Sequence, residues 1–146
     1  MFKSFLGVYP VEDTSSVTLN QWTDYFACII KVSSADGFSE KEKESLKYYL
    51  NDMGLPSQVL DDAAGLSKKS FEELLPSETL REVLAPYIIR DALHISHSDG
   101  ELSEQEESSL REMAAAIGFS AQKADAVLKS IRLYHEAVDE WKKAIE

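Results

Sequence analysis

Two short stretches carry carboxylates at matched spacing: "SADGFSEKEKESL", residues 34–46, and "HSDGELSEQEESSL", residues 97–110. In each, an Asp-Gly pair runs into Ser-x-x-Glu. Asp36, Glu42, Asp99 and Glu106 therefore recur as a doubled acidic corner. Asp and Glu oxygens suit hard cations such as Ca²⁺ or Mg²⁺. If the corners face the same side of the molecule, the four carboxylates form one divalent-cation site. Without a ligand, the same residues make good helix starts. Ser39 with Glu42, and Ser103 with Glu106, have the capping-box pattern, and Gly37 and Gly100 suit a left-handed turn. Capping leaves Asp36 and Asp99 less well explained. Each follows a helix C-terminus, where a carboxylate is unfavourable by roughly 0.3–1 kcal/mol.

Other chemistries fit less well. With Gly100 as the turn glycine of a calcium loop, Leu102 and Glu106 fall correctly. The first two ligand positions are then Ile95 and His97, and the first copy has Lys43 in place of the closing glutamate, so an EF-hand is rejected. His94 and His97 lie one turn apart with Asp99 beyond, a conceivable zinc set. The first copy has Lys31 and Ser34 there, and ordinary surface or half-buried histidines account for the pair. No Glu-x-x-His occurs, as a di-iron bundle would need. There is no Gly-rich phosphate loop, no Gly-x-Ser-x-Gly elbow and no nucleophile with a matched base, so no catalytic residue and no enzyme activity is expected.

Composition narrows the partners. Of 146 residues, 26 are Asp or Glu and 15 are Lys or Arg, for a net charge of -11. That disfavours nucleic acid and anionic membranes, which want basic patches. It favours cations or a protein partner. The one cysteine, Cys28, lies in an apolar stretch and reads as core. The N-terminal apolar run is too short for a signal or a membrane span, so no membrane insertion and a cytoplasmic location are expected.

The elements that must position these residues read as all-α, with about seven or eight helices in a single compact domain. Residues 1–17 show no period and form an N-terminal arm, leaving 18–146 as the helical domain. Trp22, Tyr25, Phe26, Ile29, Ile30 and Ser33 lie on one helix face, ended by Gly37. Ser39 starts the next helix, with Leu46, Tyr49, Leu50 and Met53 as its stripe and Gly54 as its stop. Pro56 is placed near the start of a short helix, "SKKSFEELLP" is another, and Ser77 is a cap. Pro86 begins or kinks a helix. Ser120 opens a long last segment with Ala124, Val127, Leu128, Ile131, Tyr134 and Val138 as its stripe. Trp22, Tyr48, Tyr49 and Trp141 are expected in the core or at its edge, and the "EKEKES" and "EQEESS" runs as solvated first turns.

Laying Tyr25–Asp61 over Ile88–Asp125 with one gap pairs Ser33 with Ser96, Asp36 with Asp99, Gly37 with Gly100, Ser39 with Ser103, Glu42 with Glu106 and Gly54 with Gly118. Two similar units, about 22–64 and 85–128, are thus expected around a pseudo-twofold axis. This doubled pattern of apolar helix, Asp-Gly, Ser-x-x-Glu, second helix and Gly stop resembles the TerB family of tellurite-resistance-type proteins, over roughly Trp22 to Tyr134. The N-terminal domain of DjlA-type membrane co-chaperones is similar. The resemblance implies an all-helical, cytoplasmic, non-enzymatic bacterial protein of stress or oxyanion resistance, acting through metal binding or protein contacts. The alternative to a cation-linked protein is an interaction adaptor in a stress or envelope pathway, with no metal site. The first loop is one residue shorter than the second, which departs from the usual spacing and weakens any symmetric ligand geometry.

Overall fold

The computed structural model describes residues 16–76, 81, 84–97 and 102–146. Seven helices occur among them and no strand: α1 Leu19–Ser33, α2 Glu40–Asp52, α3 Gln58–Leu66, α4 Phe71–Leu74, α5 Ala85–Ser96, α6 Glu104–Ile117 and α7 Ala121–Ile145. The expected cap Ser77 and the turn residues Asp99 and Gly100 lie outside the described residues.

Four of the helix starts are capping boxes: Thr18 with Gln21, Ser39 with Glu42, Ser70 with Glu73, and Ser103 with Glu106. In each, the hydroxyl accepts from the N3 amide while the N3 side chain accepts from the cap amide. Two of the four orphan N–H groups of the helix are thereby satisfied. Ser120 caps α7 by accepting from the Lys123 amide. Pro86 falls in the first turn of α5, where its missing N–H costs nothing.

Some boundaries differ from the sequence expectation. Gly37 does not directly end α1. The helix stops at Ser33, and three turn residues separate it from Gly37, whose φ is 110°. Asp36 therefore occupies a turn and not a helix terminus, so the dipole penalty on it is smaller than a helical position would give. Pro56 precedes α3 by two residues, and the helix in "SKKSFEELLP" shrinks to Phe71–Leu74 because Ser70 supplies its cap. Gly54, with φ 71°, and Gly118, with φ 99°, do close α2 and α6.

α1 is the central element. It packs against α3, α4, α5 and α6, while α5 also packs against α2, α6 and α7. Tyr25 to Ile29 of α1 are fully buried, on every side of the helix. A helix buried all round needs small and large apolar residues together, and "YFACII" provides them. The face of α5 bearing Ile88, Ala92 and Ile95 closes over it. Trp22 and Tyr49 belong to this core as expected. Tyr48 and Trp141 do not, being 73% and 62% exposed. α7 is longer than the body it packs on: Ala124, Leu128 and Ile131 are buried, and everything from Asp139 onward is exposed.

Candidate functional site

The two corners begin at one point. Ser33 and Ser96, in the last turns of α1 and α5, are both fully buried, and their Oγ atoms lie 3.2 Å apart. The first corner runs on from that contact through residues 34–39, and the second resumes among the described residues at Leu102 and Ser103. Each path ends at a capping box, closed by Glu42 Oε1 accepting from the Ser39 amide at 2.9 Å and Glu106 Oε1 accepting from the Ser103 amide at 3.1 Å.

Glu42 and Glu106 are not solvated, contrary to the reading of their runs as exposed first turns. Their side chains are folded inward under the corner, with residue exposures of 1% and 2%. Glu73 makes the same capping contact while exposed. Capping alone therefore does not require this burial. Oε2 of Glu106 is buried and no hydrogen bond of good geometry reaches it, although the Ser96 hydroxyl is close enough to favour its charged form. Burial raises the Glu106 pKa above the ordinary carboxylate value, and the negative charge of Asp36 adds to the rise. The exposed turn residue Asp36 of the first corner thus acts on Glu106 of the second. Of the four expected ligands, Asp36 and Glu106 are brought near one another, Glu42 is buried beneath its own corner, and Asp99 is outside the described residues. Among the described residues, no three His, Cys, Asp or Glu side chains stand in ligating geometry.

A second polar group, not anticipated from the sequence, lies inside the core. Asp91 of α5 is fully buried and accepts hydrogen bonds from Tyr25 Oη at 2.5 Å and Tyr49 Oη at 2.7 Å. Its other oxygen accepts from Arg90 Nε at 3.0 Å. The Arg90 guanidinium in turn lies 4.9 Å from the centre of the Tyr87 ring. Burial raises the Asp91 pKa against the lowering pull of Arg90 and the two phenols. It raises both tyrosine pKa values too, and the Asp91 carboxylate pushes them the same way. This network ties α1, α2 and α5 together. Its sequence signal was the Arg-Asp pair inside the otherwise apolar "YIIRDALHI". Cys28 lies in the same core, and burial pushes its thiol far up, so it is not a nucleophile.

The three histidines of the chain gather where α5 meets α7. The His135 ring faces His94 at 5.4 Å between centres and His97 at 4.5 Å. Beside them is a cleft of about 280 Å³ lined by residues that include Leu93, His97, His135, Glu136 and Asp139.

The protein-family model "Tellurite resistance protein TerB" matches residues 23–129. The chain belongs to the TerB family. The match spans both corners and ends within α7, and the all-helical architecture agrees with it. Among solved structures, this TerB chain is similar to a tellurite resistance protein from Nostoc punctiforme, at 25% identity and a TM-score of 0.67, over 87% of this chain and 79% of that one. No curated protein matches. No helix among the described residues of the TerB chain is long and apolar enough to cross a membrane.

Proposed function

We propose that this TerB protein is a non-enzymatic binding protein of tellurite-resistance type, and that its doubled corner takes a hard divalent cation, Ca²⁺ or Mg²⁺. The observation that carries the reading is the burial of Glu42 and Glu106 when the exposed Glu73 shows that capping needs none. A carboxylate held out of water is costly unless a positive charge or a full set of donors compensates it. The Ser96 hydroxyl beside Glu106 and the Ser103 cap offset only part of its burial, and Asp36 adds like charge. A cation at the corner would offset both. Asp36 and Glu106 are the ligands this side of the corner supplies. Glu42 and Asp99 are the corresponding pair that the sequence alignment assigns to the other side.

Thermal unfolding of the full chain with Ca²⁺, Mg²⁺ and Mn²⁺ tests this directly. A cation that binds the native state at a hundredfold excess over Kd adds about 2.7 kcal/mol of stability. The expected result is a rise in Tm that Asp36→Asn or Glu106→Gln removes. If no hard cation raises Tm, or if both variants keep the full rise, the corner is a turn device only.

A second reading, the interaction adaptor, has its own observation. Leu133, Trp141 and Ile145 on α7 are large apolar side chains left more than half exposed. Such residues are enriched where proteins meet. A protein that ignores hard cations but loses its partner in a pull-down when Trp141 is replaced would be the adaptor.

A further inference from the structure

We propose that the outward face of α7 is a dimer interface, on which a second copy of this chain lies antiparallel about a twofold axis at the level of His135. The occupant is the chain itself, and not the foreign partner of an adaptor.

α7 carries two apolar stripes. Ala124, Leu128 and Ile131 are buried against the body. On the opposite side Ala126, Ser130, Leu133, Ala137, Trp141 and Ala144 recur every three or four residues, and all six are exposed. Ile145 lies beside the end of this outer stripe and is 63% exposed. From Ala126 to Ile145 the stripe runs about 28 Å along the helix. Its one hydroxyl is already committed, since Ser130 Oγ donates to the Ala126 carbonyl at 2.9 Å. A solvated helix face ordinarily carries charge, and an uncharged stripe of this length marks a contact surface.

The stripe fits its own reversal. With the axis at His135, Leu133 falls against Ala137 of the second copy, Trp141 against Ser130, and Ile145 against Ala126. Each large side chain meets a small one, as close helix packing needs. The contact is isologous, so every pairing occurs twice. The charges agree with the shapes. Lys129 and Glu140 border the stripe on the same edge, and both are exposed. Reversal brings Lys129 of each copy to Glu140 of the other. Lys143 of the same helix holds Glu140 Oε1 at 3.1 Å, which leaves Oε2 for the second copy. A parallel pair would put Trp141 against Trp141 and leave Lys129 far from Glu140.

Because the stripe points away from the body, the two bodies lie on opposite sides of the helix pair. The projecting end of α7, exposed from Asp139 onward, then covers the outer face of the other copy's packed half. One helix pair of this length sits at the low end of specific interfaces, about 1,200 Å², so association is expected at micromolar concentration. Each copy keeps its own core, and dilute chains remain folded monomers.

Sedimentation of the full chain between about 1 and about 500 µM tests the contact, and a reversible monomer–dimer equilibrium is expected. Ala137→Glu places charge at its centre and Trp141→Ala removes an anchor. Each should weaken association by at least about tenfold. Both positions are exposed, so the circular dichroism of the dilute chain should be unchanged. Lys129→Glu and Glu140→Lys should each weaken the dimer, and the two together should restore it. Only an antiparallel crossing explains that recovery. A dimer that ignores Ala137→Glu and Trp141→Ala, or one that does not recover in the doubly reversed chain, overturns the proposal. So does a monomer at every concentration, including one that holds a different protein through Trp141.

Discussion

At the scale of single residues, the most informative side chain is Glu106. It does an ordinary job at a helix start and does so out of water. Because its folded pKa is raised, the native state binds its proton more tightly than the unfolded chain does. Its contribution to stability is therefore most favourable below the ordinary value of 4.5 and declines as pH rises from 4.5 through the folded value. Glu106→Gln keeps an N3 acceptor for the Ser103 amide and removes the charge. In metal-free buffer the variant should lose that decline, so that urea unfolding at pH 7 finds it at least as stable as the parent. A variant clearly weaker at pH 7 would show that the buried charge is already well compensated. Ser103 makes a simpler case: its Oγ accepts from the Glu106 amide at 3.1 Å, and Ser103→Ala should cost about 1 kcal/mol in the same assay. Asp91 should be far more sensitive. Removing it by Asp91→Ala leaves Arg90 and two phenols in the core without their acceptor, a loss of about 3–5 kcal/mol.

At the scale of elements, α7 divides into a packed half and a projecting half. The stripe that begins with Ala124 and Ile131 continues at heptad spacing through Tyr134, Val138, Trp141 and Ile145, but the body ends first. Trp22 and Trp141 thus make a matched pair of tests. Trp22→Ala should destabilise by about 3–5 kcal/mol, and Trp141→Ala should stay within about 0.5 kcal/mol in chemical denaturation. Equal losses would mean that the end of α7 packs on something in solution. The sequence showed where α2 and α6 start and stop, because Ser-x-x-Glu at the start and a positive-φ glycine at the end are local devices. It could not show where α7 leaves the body, since an apolar stripe reads the same whether or not anything covers it. For the same reason Trp141 was expected at the core edge. The Asp91 network was hidden for a different reason. The alignment that pairs Ser33 with Ser96 pairs Cys28 with Asp91, so the acid belongs to one copy only and leaves no mark in the repeat. The burial of Glu42 and Glu106 was equally illegible: neighbours in sequence decide a cap, while packing against distant helices decides exposure.

At the scale of the whole molecule, α1 is the hub. Four other helices pack on it, and its middle carries both the Tyr25 contact to Asp91 and the one cysteine. Cys28 has no exposed surface in the folded chain. A reagent that modifies thiols can reach it only after the helices around α1 have parted. The rate at which a dilute alkylating agent consumes the thiol is therefore a clock for opening of the molecule, read in native buffer with no added label. It should slow when a bound cation stabilises the fold and quicken in Asp91→Ala; a rate unaffected by either would mean that α1 is uncovered by small local movements. The same seclusion governs oxidation. Folded copies cannot be joined to one another through sulfur, so any disulfide-linked pair recovered from solution is a record of molecules that had come apart.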